Sequence, residues 1–406
     1  MERGVITDEG TCQGITWAES SPLITTHHRP SPPITAYHRL QPLVTAHHPM
    51  KTPHLLIIRF SAMGDVAMTV PIVYSLARQY PDVRISVLSR PFAQPFFQDL
   101  APNVCFMAAD LKGEYKGMAG LNRLYRRLIA KQPTAVADLH NVLRTRYLRL
   151  RFLLGGYPVA HINKHKKGKR QLCRKENKVF AQQPTSFHNY ADVLGQLGYP
   201  VKPDFKSIFP QEGGDLRNLP NIIGVKQPDE CWIGIAPFAA HAGKMYPQEK
   251  MGKVISLLTK QHPSWRIFLF GGGRQEIEVL NGWAAEFPQC LCVANALKGL
   301  EQELILMSHL DTMLSMDSAN MHLASLTGTR VVSVWGATHP YCGFMGWNQK
   351  AEDAVQITTL PCRPCSVFGN RPCHRGDFAC MSNILPEEIV QRIEAGLLSG
   401  QKTMVL

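Results

Sequence analysis

A single carboxylate, Asp65, follows four consecutive apolar residues, Leu55-Leu-Ile-Ile58, and a small-residue turn, Ser61-Ala-Met-Gly64. So short an apolar run reads as a buried parallel strand, and open α/β sheets bind ligands outside the carboxyl ends of their strands. An acid at that place can take a proton from a substrate hydroxyl. It can equally cap the next helix, a position Asp favours for its own backbone bonds. Three further turns carry candidate groups. In Pro237-Phe-Ala-Ala-His-Ala-Gly-Lys244 a lysine stands just before Pro247, a good helix-start residue. A lysine at a helix N-terminus suits a phosphate, and is otherwise a solvated surface residue. Glu276 follows Gly271-Gly-Gly273 and could accept from a ribose or be plain helix surface. Those glycines lack both dinucleotide and P-loop spacing. Ser315-Met-Asp-Ser-Ala-Asn-Met-His322 makes Asp317 or Ser318 a helix cap whose free N–H groups suit a diphosphate. His322, one turn in, is by default a structural histidine.

A fifth cluster is sulfur. Of 11 cysteines, four fall in Cys362-Arg-Pro-Cys365, Cys373 and Cys380. A Cys-x2-Cys pair with two more cysteines close by resembles a tetrahedral zinc knuckle, with reduced structural thiols or a redox-labile pair as alternatives. The others, such as Cys290 and Cys292, sit in apolar settings and read as buried thiols of a reducing compartment.

The elements that must position these residues alternate. At 406 residues and 45% apolar content, two globular domains are expected, with no run of 18 apolar residues to span a membrane and no secretory pattern. A cytoplasmic protein follows from that reading. Residues 1–49 carry three Pro- and His-rich units at a spacing of about ten, too short to bury a core, and read as a disordered tail. From His54, strands at 54–60, 83–88 and 134–138 alternate with helices near 65–80, 118–131 and 141–153. Pro71 must kink the first of these or sit in a first turn. A helix at 187–197 and a proline-rich linker at 198–230 follow. A second series has strands at 232–236, 265–270, 290–293, 311–315 and 330–335, with helices near 247–261, 274–287, 300–310 and 318–327. The chain therefore divides into 1–49, a first domain at 50–215, a second domain at 216–385, and a helix and tail at 386–406. Two doubly wound domains imply a cleft between their strand ends.

The net charge of +13 calls for an anionic partner, and the stretch from His161 to Lys178 is its densest part. That stretch reads as a solvated loop or as a docking surface for phosphate or carboxylate. No aromatic residues alternate with its charges, as a single-stranded nucleic-acid platform needs.

Together these turns resemble glycosyltransferase family 9, the ADP-heptose:lipopolysaccharide heptosyltransferases. The resemblance runs in order over 50–400: Arg59-Phe-Ser-Ala-Met-Gly-Asp65, Lys244-Met-Tyr-Pro247, Asp317-Ser-Ala-Asn-Met-His322, Gly328-Thr-Arg-Val-Val through Thr338-His-Pro340, and the cysteines ending at Cys380-Met381. It implies an α/β GT-B fold, two Rossmann-like domains facing across a cleft, and inverting transfer from an ADP-sugar without a catalytic metal. Asp65 would be the base. Lys244 would hold donor phosphate, Asp317 the donor sugar, Ser318, Ala319 and His322 the diphosphate region, and Glu276 the ribose. Ala319 departs from the family glycine but keeps its backbone N–H, and Ala239-Ala240 replace hydroxyl residues of some members. The acceptor would be a lipid-anchored acidic glycolipid at the inner membrane surface, met by Arg144, Lys164 and Lys166, with no nucleic acid involved. Two rivals are a GT-B sugar-nucleotide epimerase and a basic nucleic-acid-binding protein.

Overall fold

The computed structural model describes residues 52–228 and 230–401. The tail read at 1–49 lies outside the described residues. From Pro53 onward the described residues form one compact unit containing two parallel sheets. The first holds β1 (His54–Ile58), β2 (Arg84–Ser89), β3 (Val104–Ala108), β4 (Ala135–Asp138) and β5 (Val159–His161), in the order β3-β2-β1-β4-β5. The second holds β6 (Trp232–Ala236), β7 (Arg266–Leu269), β8 (Cys290–Cys292), β9 (Thr312–Met316), β10 (Val331–Val334) and β11 (Ala354–Val355), in the order β11-β10-β9-β6-β7-β8. Helices cover both faces of each sheet, the GT-B arrangement. Leu55 and Ile57 face one apolar cluster and Leu56 and Ile58 another, which is why β1 reads as an unbroken apolar run.

In each sheet the strand order reverses beside the first strand, between β1 and β4 and between β6 and β9. Register aligns the ends, with Ile58 opposite Asp138 and Ala236 opposite Ser315. Chain leaving these strands must fold over a switch point, the place where α/β sheets gather ligands.

Three local readings need correction. The helix expected at 65–80 is two, Met63–Ala67 and Val70–Gln79, and Pro71 sits in the first turn of the second, where its missing N–H costs nothing. The basic stretch after β5 is not all loop, because Lys166–Leu172 is helical. β3 and β5 escape notice because both are edge strands, half-exposed or only three residues long. Among the described residues no helix is long and apolar enough to cross a membrane.

Candidate active site

The turn after β1 does two jobs at once. Asp65 Oδ2 accepts from the backbone N–H of Ala62 at 3.1 Å, so the carboxylate does close the start of its helix. The same oxygen lies 2.6 Å from Arg59 Nη2, and about a third of the Asp65 side chain remains exposed. Burial pushes this carboxyl up, but the Arg59 guanidinium, the Ala62 N–H and His322 outweigh it and hold it below the usual carboxylate range. Arg59 is itself anchored by donating to the Leu139 carbonyl, at the end of the neighbouring β4. His140, also on that turn, accepts from the Phe60 N–H through Nδ1 at 3.5 Å. Burial, then the charges of Arg59 and Lys164, push its pKa down to about 3, so it is a neutral imidazole.

On the second sheet, the loops after β6 and β9 bring Lys244 and Asp317 together, Nζ to Oδ2 at 2.9 Å, both largely buried. Asp317 Oδ2 has no well-aligned hydrogen bond, so charge holds this pair. Ser318 stands at the N-cap of Ala319–Leu326 with its hydroxyl 3.3 Å from Ser315 Oγ, leaving the first helical N–H groups uncapped by side chain. His322 is buried and its Nδ1 has no partner. Burial lowers its pKa to about 4 against the opposing pull of Asp317 and Asp65, so it too is neutral. Glu276 is committed locally, accepting from the Gly272 N–H at 2.8 Å.

These two sets meet where helix Met63–Ala67 touches helix Ala319–Leu326. The contact is close because Gly64 has no side chain: a Cβ there would lie 2.6 Å from His322 Cδ2 and 3.5 Å from the Ala319 Cα. Asp65, Lys244, Asp317, Ser318, Ala319 and His322 are thus gathered at one junction between the switch points.

Beside Asp65 opens a pocket of about 410 Å³ whose lining includes Arg59, Asp65, Lys164, Lys166, Lys169 and Arg371. Burial and the Arg59 charge depress the Lys164 pKa. Asn189, almost fully buried on the same wall, has an unpartnered Oδ1. Of the residues anticipated for an acceptor, Lys164 and Lys166 line this pocket, whereas Arg144 is exposed on helix Leu143–Leu154 and does not. Arg59, Gly64, Lys169, Asn189 and Arg371 were not anticipated. Three of them left a sequence signal: Arg59 as a charge directly after an apolar strand, Gly64 in the small-residue turn, and Lys169 in the basic stretch.

Cys362, Cys365, Cys373 and Cys380 line a single narrow pocket together with His374, all four as free thiols. They do not form a ready metal site: among the described residues no group of three or more His, Cys, Asp or Glu side chains is close enough to hold an ion. The same loop does other work. Its buried Arg363 donates to the carbonyls of Gly336 and Thr338, and Lys178 of the first lobe donates to the carbonyls of Pro361, Arg363 and Pro364. Gly369 lies so near Lys244 that a Cβ would come within 2.6 Å of its Cγ.

A two-sheet protein with one such junction has relatives. The chain is 22% identical over 290 residues to the lipopolysaccharide core heptosyltransferase OpsX of Haemophilus influenzae, covering 70% of this chain and 80% of OpsX. Its fold matches E. coli heptosyltransferase WaaC with ADP at a TM-score of 0.60 and 19% identity, over 84% of this chain and 99% of WaaC. It matches a glycosyl transferase family 9 protein of Veillonella parvula at a TM-score of 0.65 and 18% identity, over 86% and 98%. Residues 116–371 fit the profile of glycosyltransferase family 9 (heptosyltransferase), a span that includes Lys244, Asp317 and His322. With the motifs in family order and the fold in agreement, the chain belongs to glycosyltransferase family 9 and is a glycosyltransferase.

Proposed function

We propose that this enzyme is an inverting, metal-independent heptosyltransferase, moving heptose or a related sugar from an ADP-sugar to the core of lipopolysaccharide or a related acidic glycolipid. The observation that carries this reading is the junction itself, where the helix bearing Asp65 packs on helix Ala319–Leu326, which holds the neutral His322 and begins beside the Lys244–Asp317 pair. OpsX and WaaC, both named heptosyltransferases, support the choice of sugar, and the WaaC complex with ADP supports the nucleotide.

In the proposed reaction Asp65 accepts the proton of an acceptor hydroxyl as that oxygen attacks C1 of the donor sugar, opposite the departing diphosphate. The state between is oxocarbenium-like, so positive charge near the diphosphate lowers the barrier. Lys244 and the free N–H groups at Ser318 and Ala319 supply that charge, which is the work a divalent ion does elsewhere. Asp317 would hold the donor sugar, His322 Nδ1 would meet the diphosphate region, and the second carboxylate oxygen of Glu276 would reach the ribose. The basic pocket, with Lys164 and Lys166, would take the acidic part of the acceptor, with Arg144 further out. The enzyme would work peripherally on the inner face of the cytoplasmic membrane. A structural zinc at Cys362, Cys365, Cys373 and Cys380 is a separate proposal, requiring the sulfurs to close around it; stoichiometric zinc in the purified protein supports it and its absence ends it.

The test uses two variants. Asp65→Asn should lose about 10²–10⁴-fold in turnover while still being stabilised against heat by ADP-heptose. Asp317→Ala should lose that stabilisation. Turnover at the wild-type rate in Asp65→Asn, or no response of the wild-type melt to ADP or ADP-heptose, overturns the reading.

A further inference from the structure

Helix Leu143–Leu154 has an outer face that no part of the mechanism uses. Its inner face, Thr145, Leu148 and Phe152, is fully buried against the first sheet. Outward it presents Leu143, Leu150, Leu153 and Leu154, which are 84%, 53%, 52% and 78% exposed. Leu143, Leu150 and Leu154 fall on one stripe at i, i+7 and i+11, with the half-buried Tyr147 at i+4 between them. Large leucines left in water in register along one helix are unusual, since single exposed apolar residues are common but an aligned set is not. On the neighbouring helix Gly117–Ile129, Met118 is also more than half exposed.

The flanks of that stripe are cationic. Arg144 and Arg146 are exposed beside it, and from Leu143 to Lys175 the chain holds eleven Lys and Arg residues and no Asp or Glu. An apolar ridge bordered by arginines complements one kind of surface, an anionic lipid bilayer: leucines enter the acyl boundary and arginines meet headgroup phosphates. A protein partner would need its own acidic rim around an apolar groove, a more demanding match. Position agrees. The helix starts where β4 ends, and Lys166–Leu172 follows the adjacent β5, so both leave the first sheet on the side of the acceptor pocket.

We infer that helix Leu143–Leu154 is a membrane-contact helix that seats this enzyme on anionic lipid, with its N-terminal end towards the acceptor pocket. The inference deepens the proposed function, because it rests on an acceptor held in a bilayer. Its test needs no sugar nucleotide, so it can fail while the transferase reading stands, and the reverse.

Full-length protein is sedimented with vesicles of phosphatidylcholine alone and of phosphatidylcholine mixed with phosphatidylglycerol. The wild type should bind the mixed vesicles and bind the neutral ones far less. The triple variant Leu143→Ser, Leu150→Ser, Leu154→Ser should bind the mixed vesicles about tenfold or more weakly, with unchanged turnover on an acceptor stripped of its acyl chains. A Leu150→Trp variant should shift its fluorescence to the blue on mixed vesicles, which keeps the test sound if the triple variant folds poorly. Equal vesicle binding by wild type and triple variant, no binding by the wild type, or no fluorescence shift at position 150 overturns the inference.

Discussion

Arg59 governs what Asp65 can do. A carboxylate pressed against a guanidinium stays ionised to low pH, so a base built this way is ready at every physiological pH but is intrinsically weak. It fits a reaction in which the acceptor proton leaves late, once the donor bond is largely broken. The direction of the shift sets a pH signature. Because the folded pKa is lowered, the acid limb of kcat/KM should lie below the ordinary carboxylate value of about 3.9. Removing the cation leaves burial as the largest influence, so Arg59→Ala should move that limb up. A pH profile of kcat/KM checks this, and an unmoved limb would contradict it. By linkage, the stability Asp65 contributes is present above the unfolded carboxylate range and is lost as pH falls through the folded value. At this scale the sequence was informative about Asp65 and Asp317, which stand in short patterns after apolar strands. It was silent on their ion pairs, since one such as Lys244 with Asp317 joins residues far apart in the chain.

Between elements, the decisive contact is helix Met63–Ala67 against Ala319–Leu326. A side chain at Gly64 would collide with a buried imidazole that has little room to swing. Gly64→Ala should therefore destabilise the protein by about 1–3 kcal/mol and lower turnover, read from a thermal melt and a steady-state assay. A variant with the wild-type melt and rate would show that the helices do not need this approach. The strands of the inner sheet positions, β1, β6 and β9, were legible because burial on both faces forces continuous apolar runs. β3, β5 and helix Lys166–Leu172 were not. Edge strands lack that constraint, and a lysine-rich helix facing a cleft has no apolar period to betray it.

At the scale of the whole molecule, the basic pocket beside Asp65 belongs to neither sheet alone. Lys164, Lys166 and Lys169 come from the first, and Ser366, Phe368 and Arg371 from the cysteine-bearing loop of the second. Lys178 ties the two together through three backbone carbonyls. Lys164→Ala should accordingly raise the acceptor KM about tenfold or more, the scale of one charge-assisted hydrogen bond. The donor KM should stay as it was. Steady-state titration of each substrate separates the two, and a change confined to the donor would remove this pocket from the acceptor's path.

The sequence by itself determined the doubly wound class and the positions of Asp65, Lys244 and Asp317 at strand ends, because those depend on local patterns: apolar runs, small-residue turns and caps read within about a dozen residues. Only the tertiary structure decided that Arg59 pairs with Asp65, that Gly64 meets His322, that Arg144 stands outside the basic pocket, and that leucines line the outer face of its helix. Each of these is a distance or an exposure fixed by the folded packing, which spacing along the chain leaves open.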